Sequence, residues 1–194
     1  MDSVLLVIFA YLFGSILFGE HMARRKGIDL RTVGSGNVGA TNVGRILGKK
    51  YAFLVFFLDV LKGLFPMLLA RLYFGLDSWT ASMVGIASFL GHLYPFFHGF
   101  KGGKGVATAF GVLLGISPLV SSICLVLWLL VFRLKGYVSL ASLSSSAFAP
   151  FLLLILGYPV KIFLTALFMA SFILYRHRDN INRLLMGQEH RFSK

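Results

Sequence analysis

Apolar runs of near-bilayer length restrict this chain more than any other feature. Residues 4–19, 51–74, 79–97, 137–156 and 160–175 are almost uninterrupted apolar stretches, and 106–133 forms another. A bilayer-spanning helix needs about 20 such residues. Continuous apolarity excludes a membrane β-barrel, whose strands alternate apolar and polar residues over ~10 positions. Only 13% of the 194 residues are charged, against 57% hydrophobic, and mean hydropathy is +0.82. Soluble domains carry roughly 25% charge. The chain is therefore expected to be an all-α integral membrane protein, with residues 1–194 forming one transmembrane domain.

The net charge of +12 is no nucleic-acid signal, because nineteen Lys and Arg against seven acids also suit an anionic lipid surface. Their positions set an orientation. Residues 21–50 carry seven Lys and Arg and the tail 176–194 carries five, which predicts both segments on the cytoplasmic side. The N-terminus then lies outside. Asp2 precedes the first run and no basic segment does, so 4–19 is expected to be a retained span and no cleaved signal peptide. Between Lys101/Lys104 and Arg133/Lys135 the chain crosses either once, which puts the two basic groups on opposite sides, or twice; Ser117-Pro118 is a candidate helix break, and the basic bias favours two crossings. Two short legs of roughly a dozen residues each would return the chain to the basic side. The prediction is a seven-helix bundle, two of the helices short, with a cytoplasmic C-terminus. Only Lys62, Arg71 and Lys161 then fall outside the inner basic groups.

Three polar islands interrupt this pattern. Gly34-Ser35-Gly36-Asn37-Val38-Gly39-Ala40-Thr41-Asn42-Val43-Gly44-Arg45 has almost no bulky side chains. Glycines let successive N–H groups turn into one concavity that binds anions, and Arg45 adds a fork of donors suited to phosphate. The first six residues match G-x-G-x-x-G literally, but a dinucleotide site needs a strand and a βαβ unit, which membrane helices do not provide. In Lys101-Gly102-Gly103-Lys104-Gly105 the glycines open the next apolar helix beside two lysines, a second anion-binding candidate. Arg176-His177-Arg178-Asp179-Asn180 closes the last run, and His177 and Asn180 share a face if the helix continues. Asp59 and Lys62, three apart inside the second run, are expected to form a structural ion pair holding that helix against the site loop.

No carboxylate stands five residues beyond a histidine and no Ser-His-Asp signature occurs. His92 and His177 lie at island edges. Cys124, the single cysteine, has no partner for an intramolecular disulfide, and no metal-ligand cluster or cofactor is implied. The anion sites alone also admit an organic-phosphate transporter or channel, for which the internal repeats expected of such a bundle are missing.

Taken together, the islands resemble the bacterial acyl-phosphate:glycerol-3-phosphate acyltransferases, the PlsY family. Ser35-Gly-Asn37-Val-Gly39-Ala-Thr41-Asn42-Val-Gly-Arg45, Gly91-His92 through Pro95 to Lys101-Gly-Gly-Lys104-Gly-Val-Ala-Thr108, and His177-Arg-Asp-Asn180 through Arg183 to Glu189 carry the resemblance. Asp59-Val-Leu-Lys62-Gly63 and Gly136-Tyr-Val-Ser139-Leu-Ala-Ser142 add to it. The resemblance implies that an acyl-phosphate is the donor, sn-glycerol 3-phosphate the acceptor, and membrane lipid the surroundings, with no obligate protein partner. It implies a cytoplasmic (inner) membrane enzyme of phospholipid synthesis whose site faces the cytoplasm. The expected catalytic residues are Ser35, Asn37, Lys104 and His177. Gly36, Gly39, Thr41, Asn42, Arg45, His92, Lys101, Gly102, Gly103, Thr108, Ser142 and Asn180 are expected to bind the substrates. Within that set, the nest 36–42, Lys104 and the Gly102–Gly103 amides hold the donor. Asn37 and nearby backbone N–H groups are expected to polarise its carbonyl and the donor phosphate to accept the hydroxyl proton, with His92 and His177 as the fallback bases.

Overall fold

A computed structural model describes residues 1–191; Lys194, the last cation of the tail, lies outside them. Among the described residues there is no strand. Ten α-helices follow in order: α1 Ser3–Gly14, α2 Phe18–Arg24, α3 Ala40–Leu47, α4 Lys49–Phe74, α5 Trp79–Leu93, α6 Val106–Ile116, α7 Pro118–Lys135, α8 Val138–Ile155, α9 Val160–Arg176 and α10 Arg178–Leu185. A 3₁₀ turn, Phe96–His98, follows α5. Helix is imposed here because backbone groups in lipid must be bonded within their own segment. The ends are capped by local chemistry. Asp2 accepts the Val4 N–H at 2.7 Å, Ser78 accepts the Ala81 N–H at 3.0 Å, and Ser117 accepts the Val120 N–H ahead of Pro118. Each is an N-cap oxygen on an otherwise unpaired donor.

The apolar runs are more broken than continuous hydropathy suggests. The first splits at Ser15–Leu17 into α1 and α2, and the third ends at Leu93, ahead of Tyr94-Pro95. α4 runs unbroken through Pro66. The break at Ser117-Pro118 is where the sequence puts it, but the two legs are unequal, 11 and 18 residues. The last run bends by 59° at His177. Four helices are long and apolar enough to cross a bilayer, taking α1 and α2 as one run, and the bent α9–α10 pair is a fifth.

Packing inside the bundle rests on small residues. Lipid supplies no hydrophobic drive between helices, so close backbone approach replaces it. α4 and α6 run parallel in such contact: a Cβ on Gly63 would stand 2.1 Å from the Thr108 carbonyl oxygen, and one on Gly111 2.0 Å from that of Val60. Lys62, fully buried, lies 2.9 Å from Asp59 Oδ1 and donates to the Ile16 carbonyl at 2.7 Å. The expected ion pair is present, and it holds α4 to the α1–α2 break, where an unpaired carbonyl would otherwise face apolar surroundings.

The connections gather at two ends. At one, Asp77 after α4 pairs with Lys161 of α9 at 3.0 Å. There Ser117 accepts the Tyr158 hydroxyl at 2.6 Å, and Arg71 donates to the Gly115 and Ile116 carbonyls. The three islands lie at the other end.

Candidate active site

The first island is a loop wrapped around one side chain. Gly34 and Gly36 take φ of +62° and +68°, which only glycine adopts without strain. They carry the chain around Asn42, which is 1% exposed. Asn42 Oδ1 accepts the Ser35 N–H at 2.8 Å, and its amide donates to the Val33 and Leu30 carbonyls. Asn37 Oδ1 accepts the Gly39 N–H at 3.1 Å, an Asx turn that starts α3. The N–H groups of Gly36 and Asn42 are bonded within the loop as well. Of the donors expected to form an anion nest over 36–42, those of Gly36, Gly39 and Asn42 are thus spent within the loop, while the first-turn N–H groups of Ala40 and Thr41 have no side-chain cap. Thr41 and Arg45, four apart, share a face of α3, and both line the same cavity. Arg45 has no acidic partner among the described residues.

The second island is held by the ends of two helices. Gly102 and Gly103 donate to the Leu93 and His92 carbonyls at 3.0 and 3.1 Å, and their own carbonyls accept from the Arg176 guanidinium at 2.9 and 3.0 Å. A Cβ on Gly103 would stand 2.2 Å from His92 Nε2. These glycines allow close packing, and their amides are spent on it. His92 Nδ1 accepts from the Lys62 ammonium at 3.0 Å. Lys101 is exposed, with its carbonyl bonded to Arg31. Thr108 is fully buried at the α4–α6 crossing. Lys104 instead reaches across and donates to Asn180 Oδ1. Its pKa is lowered to about 8: burial is the main cause, Arg183 and Arg176 act the same way, and Glu189 and Asp179 work against them.

At the third island the bend at His177 brings α10 over the second. His177 Nδ1 lies 2.8 Å from the Ile173 carbonyl. A carbonyl only accepts, so Nδ1 carries the proton and Nε2 the lone pair. Burial, then Lys104, hold the imidazole down at about 4. Asn180 donates to Glu189 Oε1 at 2.6 Å, as does Ser139 at 2.8 Å, while Arg183 donates to Oε2 at 2.8 Å. Burial alone would raise the Glu189 pKa, but these three donors outweigh it and the net shift is downward. Ser142 accepts from the Trp128 indole at 3.1 Å.

One polar cavity of about 170 Å³ joins the islands. Ser35, Asn37, Gly39, Thr41, Asn42 and Arg45 line it from the first; His92, Lys104, Ser142, His177 and Asn180 line it from the others. Gly36, Lys101, Gly102, Gly103 and Thr108 do not. Asp59, Ser139, Arg183 and Glu189 do, although site reasoning from sequence passed over them. Glu189 closes the third motif, and its position after a run of cations was the available signal. An apolar groove of about 1160 Å³ continues from the cavity, sharing Ala40, Thr41, Phe56, Val106, Trp128 and Val138 with it. Exposed Phe53 and Leu125 form its flank.

Residues 4–187 match the sequence model of the family described as Glycerol-3-phosphate acyltransferase. The chain belongs to the glycerol-3-phosphate acyltransferase family. Its relatives include the glycerol-3-phosphate acyltransferase of Aquifex aeolicus, 58% identical over 99% of this chain and 100% of that one. That of Hydrogenobaculum sp. is 48% identical over 97% and 96%. Two crystal structures of PlsY, an integral membrane glycerol 3-phosphate acyltransferase, superpose on this fold. Its glycerol 3-phosphate form has a TM-score of 0.97 at 58% identity, covering 98% of this chain and 96% of that one. Its lysophosphatidic acid form has a TM-score of 0.94 at 56% identity, covering 98% and 95%. Membership in this acyltransferase family sets aside the transporter alternative.

Proposed function

We propose that this integral membrane glycerol-3-phosphate acyltransferase takes its acyl group from a fatty acyl-phosphate, at the cytoplasmic face of a bacterial inner membrane. One observation carries the donor assignment: a polar cavity with three cations, Arg45, Lys104 and Arg183, runs directly into an apolar groove. A hydrocarbon tail ending in a phosphate fits both compartments. The N–H groups of Ala40 and Thr41, with Lys104, receive the donor phosphate. Arg45, Ser35, Ser142, His177 and Asn180 surround glycerol 3-phosphate, and Asn37 lies beside the carbonyl.

In the reaction, the 1-hydroxyl oxygen of glycerol 3-phosphate bonds to the carbonyl carbon and the acyl C–O bond to phosphate breaks. The hydroxyl proton passes to a departing phosphate oxygen, and lysophosphatidic acid and inorganic phosphate leave. A mixed anhydride is already activated, so positioning and fixed charge supply the rate. His92 has its Nδ1 engaged by Lys62, and His177 donates from Nδ1 to a carbonyl; neither is needed as the base.

The orientation reading is seven crossings with the N-terminus outside, all within one domain. Its support is that Ser117, between α6 and α7, touches the α8–α9 turn, while Lys104 and Lys135 both sit at the island end.

The test uses purified protein in vesicles with radiolabelled glycerol 3-phosphate and palmitoyl-phosphate or palmitoyl-CoA. Label is expected to enter lipid only with palmitoyl-phosphate. Lys104→Ala and Arg45→Ala are each expected to lower the rate by about 100-fold or more. Near wild-type rates in both variants would remove the anion-site assignment.

A further inference from the structure

The apolar groove ends at a common depth on three of the helices that wall it, α7, α8 and α9. Its deepest lining residues are Leu113 on α6, Cys124 on α7, Ala149 on α8 and Ala166 on α9. On α7, α8 and α9 these stand six residues from the helix end opposite the islands. At 1.5 Å per residue, the groove stops roughly 9 Å short of that end.

Something fills the remaining depth. One helical turn beyond each of the four residues stands a branched apolar side chain that is at most 1% exposed: Ile116, Val120, Leu153 and Ile162, the last three larger than the Cys or Ala they follow. Residues three or four apart share a helix face, and all eight belong to one buried cluster. These four branched side chains therefore close the groove as a plug. Above them the helices present Ser145, Ala149, Ala166 and Ala170. Small side chains on facing helices leave space that close packing would otherwise fill. From Val138, where groove and cavity meet, to Ala149 is eleven residues along α8, roughly 16 Å.

We infer that this plug is a ruler: Ile116, Val120, Leu153 and Ile162, with Ala149 and Ala166 just above them, set the longest acyl chain the enzyme transfers efficiently. The inference rests on the reading that the donor's tail lies in the groove while its carbonyl sits beside Asn37 and its phosphate on Lys104. A tail that already touches the plug has no room for another methylene unless the carbonyl moves outward. Displacing a reacting atom by even about 1 Å is costly to rate. Chain length is thus read as carbonyl position, and it should appear in kcat/KM for the donor and not in KM for glycerol 3-phosphate.

The experiment measures kcat/KM for saturated acyl-phosphates from decanoyl to stearoyl with the full-length enzyme in detergent. Wild type, Ala149→Leu, Ala166→Leu and Leu153→Ala are compared at saturating glycerol 3-phosphate. Wild type is expected to show an optimum followed by a drop of roughly tenfold. Ala149→Leu and Ala166→Leu are expected to move the optimum to shorter donors, and Leu153→Ala to longer ones, with KM for glycerol 3-phosphate unchanged. The leucine variants fill open space, so they keep the test alive should the truncated core variant fail to accumulate. An unshifted optimum in the active leucine variants overturns the ruler. So does a flat wild-type profile, since surplus tail would then be leaving through the Phe53–Leu125 flank. No transfer from any acyl-phosphate in wild type, with transfer from another acyl donor, would overturn the donor reading instead.

Discussion

Asn180 stands between the cation and the carboxylate of the site. Its amide oxygen accepts from Lys104 and its amide nitrogen donates to Glu189. Since Glu189 only accepts, Asn180 cannot turn over without losing both bonds. Glu189 also holds Ser139 and Arg183, so one carboxylate orients groups from α8 and α10. A pH profile follows. Lys104 needs its proton to bind phosphate, and its pKa of about 8 places loss of charge near the working range. We expect kcat/KM, corrected for ionisation of glycerol 3-phosphate, to fall as pH rises through about 8. His177, held at about 4, should add no limb near its ordinary 6.5. Glu189→Gln removes a negative charge that favours the ammonium, so the alkaline limb should move to lower pH while the rate falls about tenfold. Lys104→Arg should abolish that limb, because a guanidinium stays charged. An alkaline limb unmoved by either change would mean that another group titrates.

The breaks matter as much as the helices. The α1–α2 break frees the Ile16 carbonyl inside apolar surroundings, and buried Lys62 satisfies it, with Asp59 balancing the charge. The same ammonium fixes His92 Nδ1, whose carbonyl anchors Gly103 ahead of Lys104. Lys62→Met strands both a carboxylate and a carbonyl. Breaking a buried pair costs about 3–5 kcal/mol, so a clear fall in Tm in detergent is expected, readable by thermal unfolding. Lys62→Met with an unchanged Tm would show the pair to be dispensable. Arg176 acts similarly from α9: its guanidinium binds the Gly102 and Gly103 carbonyls and so fixes where α6 begins. Glycines beside lysines, as in Gly102-Gly103-Lys104, point by sequence to amides that meet phosphate. Their actual work is to let α5, α6 and α9 meet, a role visible only once the neighbouring backbone is known.

Across the whole molecule the two ends differ in chemistry. One holds short turns tied by Asp77–Lys161 and Tyr158–Ser117; the other holds the islands. In a Cys124→Ser background, Asp77→Cys is expected to react with an impermeant maleimide in intact cells, and Gln188→Cys only after permeabilisation. The reverse pattern would invert the proposed orientation. The Asp77 pair is largely exposed and worth under about 1 kcal/mol, so this substitution should leave the fold intact. Residue order alone determined the membrane class, the break at Ser117-Pro118 and the Asp59–Lys62 pair. Each of these follows from local composition and spacing. Tertiary structure alone decided the meeting of Lys104 with Asn180 and the recruitment of Glu189. It also decided the commitment of Asn42 and the Gly102–Gly103 amides to holding loops, and the depth of the groove. The physical reason is that helices apolar on nearly every side carry no periodic signal of which face meets which neighbour. Only close backbone contact at positions such as Gly63 and Gly111 chooses among the possible packings.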